Sequence, residues 1–169
     1  MAPTLNRSLA DLGALLHLVD PTLPIGGFNH SNGLETFVQQ GVVSTKPSLE
    51  EYVQTQLLQN WVYNDGAYLS LAFEAMATND FDRLCELDHS LSATKIARES
   101  REGSFKLGLR LLKIFIRYEQ HPMLSQFQQA IQNKTVQGYF PIVFAMVAQA
   151  MGLSKADTLY AFYYNAAVG

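Results

Sequence analysis

Lys106-Leu107-Gly108-Leu109-Arg110-Leu111-Leu112-Lys113-Ile114-Phe115-Ile116-Arg117 is the stretch that decides the fold class. Its four cations recur at i, i+4, i+7 and i+11, which is the repeat of a single helical stripe. Leu107, Leu111 and Ile114 flank the stripe on one side, and Leu109, Leu112 and Ile116 on the other. A helix built this way is wrapped by apolar neighbours and wet along one narrow strip. Further out, the segment from Lys95 to Arg117 holds seven of the chain's 12 Lys and Arg residues, with Glu99 and Glu102 as its only acids. It therefore carries +5 in a chain of net charge −3, which leaves −8 on the remainder. Two readings stay open: a solvated stripe on a central helix, or a basic ridge for an acidic partner surface. The stripe lacks interleaved aromatics and the chain is acidic, so nucleic acid is disfavoured as a partner.

Other helices read outward from this one. Ser48-Leu49-Glu50-Glu51 has the form of a capping box, followed by Leu49, Val53, Leu57 and Trp61 at spacings of four. Asp80 is placed to cap a helix with Phe81, Leu84, Cys85 and Leu91 on its inner side. Thr94 is the expected start of the basic helix, which runs to about Tyr118. Pro122 suits the first turn of a helix carrying Met123, Phe127 and Ile131. Pro141 opens another, closed near Gly152 by a left-handed residue, and Ser154 to Asp157 repeats the serine–acid cap before Leu159, Phe162 and Tyr163. No period-2 run is bounded by turn residues. The expected fold is an all-α single-domain bundle of about eight helices spanning residues 1–169.

Composition sets the outer limits. The 169 residues are 48% hydrophobic, near the globular average, and only 16% charged, against the usual ~25%. Such a chain folds, and its low charge suggests surface covered by a partner. Cys85 is the single cysteine and has no internal disulfide partner. Met1 to Arg7 is not a basic start followed by an apolar stretch of signal-peptide length, and the most apolar window, Tyr139 to Leu153, is shorter than the ~20 residues of a membrane span. The expectation is a cytoplasmic protein.

One segment breaks the helical pattern. Asp20 to Glu35 holds two prolines and three glycines in 16 residues, yet keeps apolar Leu23, Ile25 and Phe28. It reads as a packed loop of fixed shape feeding a helix capped at Ser31 or Asn32, with Glu35 in the first turn. An ordinary interhelical elbow fits the same residues. Gly26-Gly27 is not followed by the Lys-Ser/Thr of a phosphate-cradling loop, and Gly-x-Ser-x-Gly and His-Glu-x-x-His are absent. Cys85 and His89, at i and i+4, form a weak metal-ligand pair or simply a half-buried helix face. His30 in the loop is a contact candidate or a structural hydrogen-bonding residue. A helical metal-binding protein or enzyme using Cys85, His89 or His30 is the alternative reading from another class. A regulator of a GTPase unconnected with the family below is a further one.

Leu23-Pro24-Ile25-Gly26-Gly27-Phe28-Asn29-His30-Ser31-Asn32-Gly33-Leu34-Glu35 resembles the N-terminal motif of the UreF family of urease accessory proteins. The preceding Leu15 to Asp20 is similar to that family's opening helix. Glu99-Ser100-Arg101 with Lys106-Leu107-Gly108, and Tyr139-Phe140-Pro141 with Gly152-Leu153, resemble two later family segments in the same order. Gly138, Ser100 and Phe144 depart from the family's usual histidine, leucine and glycine.

The resemblance implies a non-enzymatic, homodimeric helical scaffold. With UreD (UreH in some species) and the GTPase UreG, it would promote nickel insertion into apo-urease. No cofactor would be held tightly by this chain, the nickel being handled by the complex. Pro24, Gly26, Phe28, His30, Ser31, Gly33, Leu34, Glu35, Glu99, Arg101 and Gly108 are the implied motif or partner-binding residues. Lys106, Arg110, Lys113 and Arg117 form the candidate docking ridge. Family members usually run on well beyond the last residue here, so a C-terminally shortened domain is a further expectation.

Overall fold

The computed structural model describes residues 8–26, 33–95 and 97–168. Its helices are α1 (Leu9–Leu18), α2 (Leu34–Gln39), α3 (Lys46–Thr55), a π-helical segment (Gln56–Gly66), α4 (Ala67–Ala77), α5 (Phe81–Thr94), α6 (Arg98–Phe115), α7 (Pro122–Gln132), α8 (Phe140–Ala150) and α9 (Lys155–Val168). The α3, π and α4 segments follow without a break as one rod, so the described residues form eight helical stretches and no strand. The all-α expectation holds.

The bundle is organised around α8. Every residue from Pro141 to Ala148 is buried, the pattern of a helix that meets protein on all sides. It packs chiefly against α4 and α6, and α4 in turn packs on α5. Phe140, Phe144 and Phe162 form a three-ring cluster joining α8 to α9, with centroids 5.5 to 5.9 Å apart. Pro141 lies in the first turn of α8, and Gly152 closes the helix at φ +78°. There the Leu153 N–H reaches back to the Ala148 carbonyl, as a left-handed cap requires. Asp80 accepts from the Arg83 N–H at the start of α5, and Ser154 accepts from the Asp157 N–H before α9. These starts agree with the sequence.

Four boundaries differ. The α3 helix begins at Lys46, capped by Thr45, with Ser48 completing the box, three residues ahead of the expected cap. Its supposed apolar face does not reach the core: Leu49 is 40% exposed, and none of α3 is buried. The i+4 spacing from Leu49 to Trp61 also crosses into the π segment, where i+5 bonding changes the angle per residue. Thr94 ends α5 instead of opening α6, because its hydroxyl turns to the Leu91 carbonyl and the Asn64 side chain. The α6 helix starts at Arg98 and finishes at Phe115, before Tyr118. Finally, the N-cap of α2 is Gly33 at φ +92°, without a side-chain cap, and the expected caps Ser31 and Asn32 lie outside the described residues.

Candidate functional site

Asp20 begins the motif loop by accepting from both the N–H and the hydroxyl of Thr22, at 2.7 and 2.6 Å. These bonds, the side-chain one foremost, hold the Asp20 carboxyl below its ordinary value. Leu23 and Ile25 then turn inward and are buried, while Pro24 stays exposed. Gly26 follows at φ +77°, a region that side chains make costly. Against this turn lies Arg110 of α6, whose guanidinium donates to the Ile25 carbonyl at 2.9 Å, 85 residues away in sequence. A Cβ at Gly26 would overlap that guanidinium. The motif loop and the basic stripe, read separately from sequence, are thus one feature. Phe28, His30 and Ser31 lie outside the described residues. Leu34 and Glu35 stand in the first turn of α2, as expected.

The stripe itself is exposed at Lys106, Arg110, Lys113 and Arg117. Lys106 lies 3.4 Å from Glu102, which also pairs with Arg98 at 2.7 Å. The Arg98 hydrogen bond is the main reason the Glu102 carboxyl is held low. Beyond Arg110, a groove of about 410 Å³ opens between the loop and the end of α6, lined by His17, Leu23, Pro24, Lys113, Ile114, Arg117 and Tyr118. The His17 ring packs on Phe115 at 5.0 Å, fixing α1 against α6. Arg110 and Lys113 should therefore behave differently despite sharing a stripe. Arg110→Met is expected to lower stability by about 1 kcal/mol by orphaning the Ile25 carbonyl. Lys113→Met should stay within about 0.5 kcal/mol, as for most surface changes. Urea midpoints of the two variants decide between anchor and bystander.

Arg101 donates to the Lys95 carbonyl at 2.7 Å, across the break between α5 and α6, and Glu99 is exposed. Lys95 itself pairs with Asp65 of the π segment at 2.7 Å, both side chains being largely buried. Gly108 faces inward: a Cβ there would overlap the Gly138 carbonyl oxygen and sit 3.0 Å from Phe140 N and Tyr139 C. Next to it, Ser104 accepts from the Phe140 N–H at 3.2 Å. Asp88, fully buried on α5, accepts from the N–H groups of Gln137, Gly138 and Tyr139 at 2.6, 3.0 and 2.9 Å. These contacts fix the strap that leads into α8. Sequence reasoning passed over Asp88, although an acid between Leu84 and Leu91 on an apolar helix face was a visible signal.

The Cys85–His89 pair is differently engaged. His89 Nε2 lies 2.6 Å from the Thr135 carbonyl oxygen, so that nitrogen is a donor and not a free metal ligand. Burial, with Asp88 and Asp82 nearby, pushes the Cys85 thiol above its ordinary value and disfavours the thiolate. Among the described residues, no three His, Cys, Asp or Glu side chains are placed to hold a metal ion. Among them, too, no helix is long and apolar enough to cross a membrane.

Fold and site together define a protein, all-helical over its described residues, in which the turn at Ile25 and Gly26 is held against a basic helix. The UreF family model matches residues 43–169. The chain is 85% identical over its whole length to the urease accessory protein UreF of Haemophilus influenzae strain Rd, of which it covers 72%. It is 80% identical over 161 residues to that of Actinobacillus pleuropneumoniae serotype 5b, covering 95% of this chain and 71% of the relative. For the namesake from Bacillus sp. TB-90, identity is 33% over 160 residues, with 95% and 69% covered. The chain belongs to the UreF family of urease accessory proteins, and its role lies in urease maturation.

Proposed function

We propose that this chain acts without catalysis of its own, as a binding platform in the assembly that inserts nickel into apo-urease. Its partners in this reading are UreD/UreH, the GTPase UreG and apo-urease. It works as a cytoplasmic homodimer and leaves the nickel to the complex. The observation that carries the reading is the clamp from Arg110 to Ile25: it spends a charged side chain on the shape of an exposed loop. A pre-shaped surface loop lowers the ordering cost of binding a protein partner. Glu35 at the positive N-terminus of α2 supports the same element. Pro24, Gly26, Gly33 and Leu34 are the motif residues of this region in the reading, while Arg101 and Gly108 act elsewhere on α6, at the α5–α6 break and against the strap before α8.

The test is complementation. A strain lacking its own UreF, but carrying urease and the other accessory genes, should regain urease activity when this protein is supplied. The Cys85→Ala/His89→Ala variant should restore activity equally well. Loss of activity with that variant, together with nickel binding by the isolated wild-type chain, would instead favour the metal-binding alternative.

A further inference from the structure

The stripe on α6 divides into engaged and disengaged cations. Lys106 faces Glu102, and Arg110 is committed to the Ile25 carbonyl. Lys113 and Arg117 are exposed and have no ion-pair partner among the described residues. Both line the groove beside the motif loop, and no acidic side chain lines it with them. Its other walls are Leu23, Pro24, Ile114 and the His17 ring, with exposed Tyr118 at the rim. Positive charge is thus concentrated where it meets apolar surface, in a chain that is acidic elsewhere. Two cations four residues apart on a helix are separated by about 6 Å along its axis. That spacing suits a pair of carboxylates one turn apart on a partner helix, flanked by an apolar side chain.

We propose that this groove docks an acidic, partly apolar segment of a partner protein. Its carboxylates meet Lys113 and Arg117, and its apolar side chain rests on Leu23, Pro24 and Ile114. The inference rests on the platform role proposed above and names the surface that performs it. Nucleic acid suits the site less well, because only two cations are uncommitted and most of the remaining wall is apolar.

The experiment measures binding of the full chain to purified UreD/UreH, UreG and apo-urease at about 50 and about 300 mM salt, conditions that bracket strong and weak screening. The variants are Lys113→Glu/Arg117→Glu, the milder Lys113→Gln/Arg117→Gln, and Lys46→Glu/Lys134→Glu as a charge-matched control on exposed residues outside the groove. At least one partner should bind the Glu variant about tenfold or more weakly, with the Gln variant between it and wild type. That interaction should weaken with salt, and the control should bind as wild type does. If both groove variants bind every partner as wild type does, while wild type restores urease activity, the groove inference falls and the platform reading stands. If wild type neither restores urease nor binds any of the three, both fall. Equal wild-type affinity for an arbitrary DNA duplex would also overturn the assignment to an acidic protein segment.

Discussion

Asp88→Ala is expected to destabilise the protein by about 3–5 kcal/mol, because three backbone N–H groups lose their acceptor at once. Each buried donor left unpaired costs roughly 1–3 kcal/mol. The sum is held down by two effects. The Gln137 N–H is only partly buried, so water can replace the carboxylate there. Burying a carboxylate also carries its own cost, which the substitution removes. Burial is the main influence on the Asp88 carboxyl and lifts it above its ordinary value, against the backbone donors and the neighbouring His89, which pull it down. The sign for stability follows. As pH rises past about 4, the unfolded chain releases this proton first. The native state therefore loses ground until the folded carboxyl ionises too, and the contribution is level above that point. Urea unfolding of wild type and Asp88→Asn, stepped from acid to neutral pH, isolates this term. The stability of wild type relative to the variant should fall as pH rises. A rising difference would show that the three donors outweigh burial.

Gly108→Ala should cost about 3 kcal/mol or more, and larger residues should prevent folding. The added methyl would meet the Gly138 carbonyl and the Tyr139–Phe140 backbone. That strap is already held by Asp88 and Ser104, so it has no freedom to withdraw. Overpacking costs about 1–3 kcal/mol in cores that can adjust, and more where backbone must move. Gly13 supplies the control. It lies inside α1 with nothing near its absent Cβ, so Gly13→Ala should stabilise by about 0.5–1 kcal/mol through helix propensity alone. Comparable losses at both positions would mean that the close approach of α6 to the strap is wrong. Thermal or urea unfolding of the two variants makes the comparison.

Helices with strong local grammar could be read from the chain. Asp80, Pro122, Pro141 and Ser154 start elements where their chemistry says they should, since a cap or a first-turn proline acts within four residues. The α5–α6 break was hidden because part of its cause is distant: Thr94 turns to Asn64 and Lys95 to Asp65, both on the π segment, and Arg101 then secures the Lys95 carbonyl. The π segment was equally hidden, for no single residue type announces i+5 bonding. At the candidate site, the exposure of the stripe followed from its period, whereas the left-handed backbone at Gly26 and Gly33 is seen only in the structure. That Arg110 leaves the ridge to clamp the loop was not legible, because the contact joins residues 85 positions apart. The buried role of Asp88 required knowing that the Gln137–Tyr139 strap lies over α5.

The main hydrophobic core takes no member from Gly33 to Ala67. In that span, α2 and α3 meet through the Phe37 and Tyr52 rings at 5.6 Å, and the π segment meets α9 where Gly66 leaves room for the Tyr163 hydroxyl. The molecule is therefore two-tiered: an inner bundle with a continuous apolar centre, and an outboard arm sharing its longest rod. Such an arm can melt as a cooperative unit of its own, at a fraction of the free energy needed to open the whole protein. Unfolding followed by a probe at Trp61, on the arm, should then run ahead of the loss of total helix, and a single two-state fit would understate how firmly the inner bundle is held.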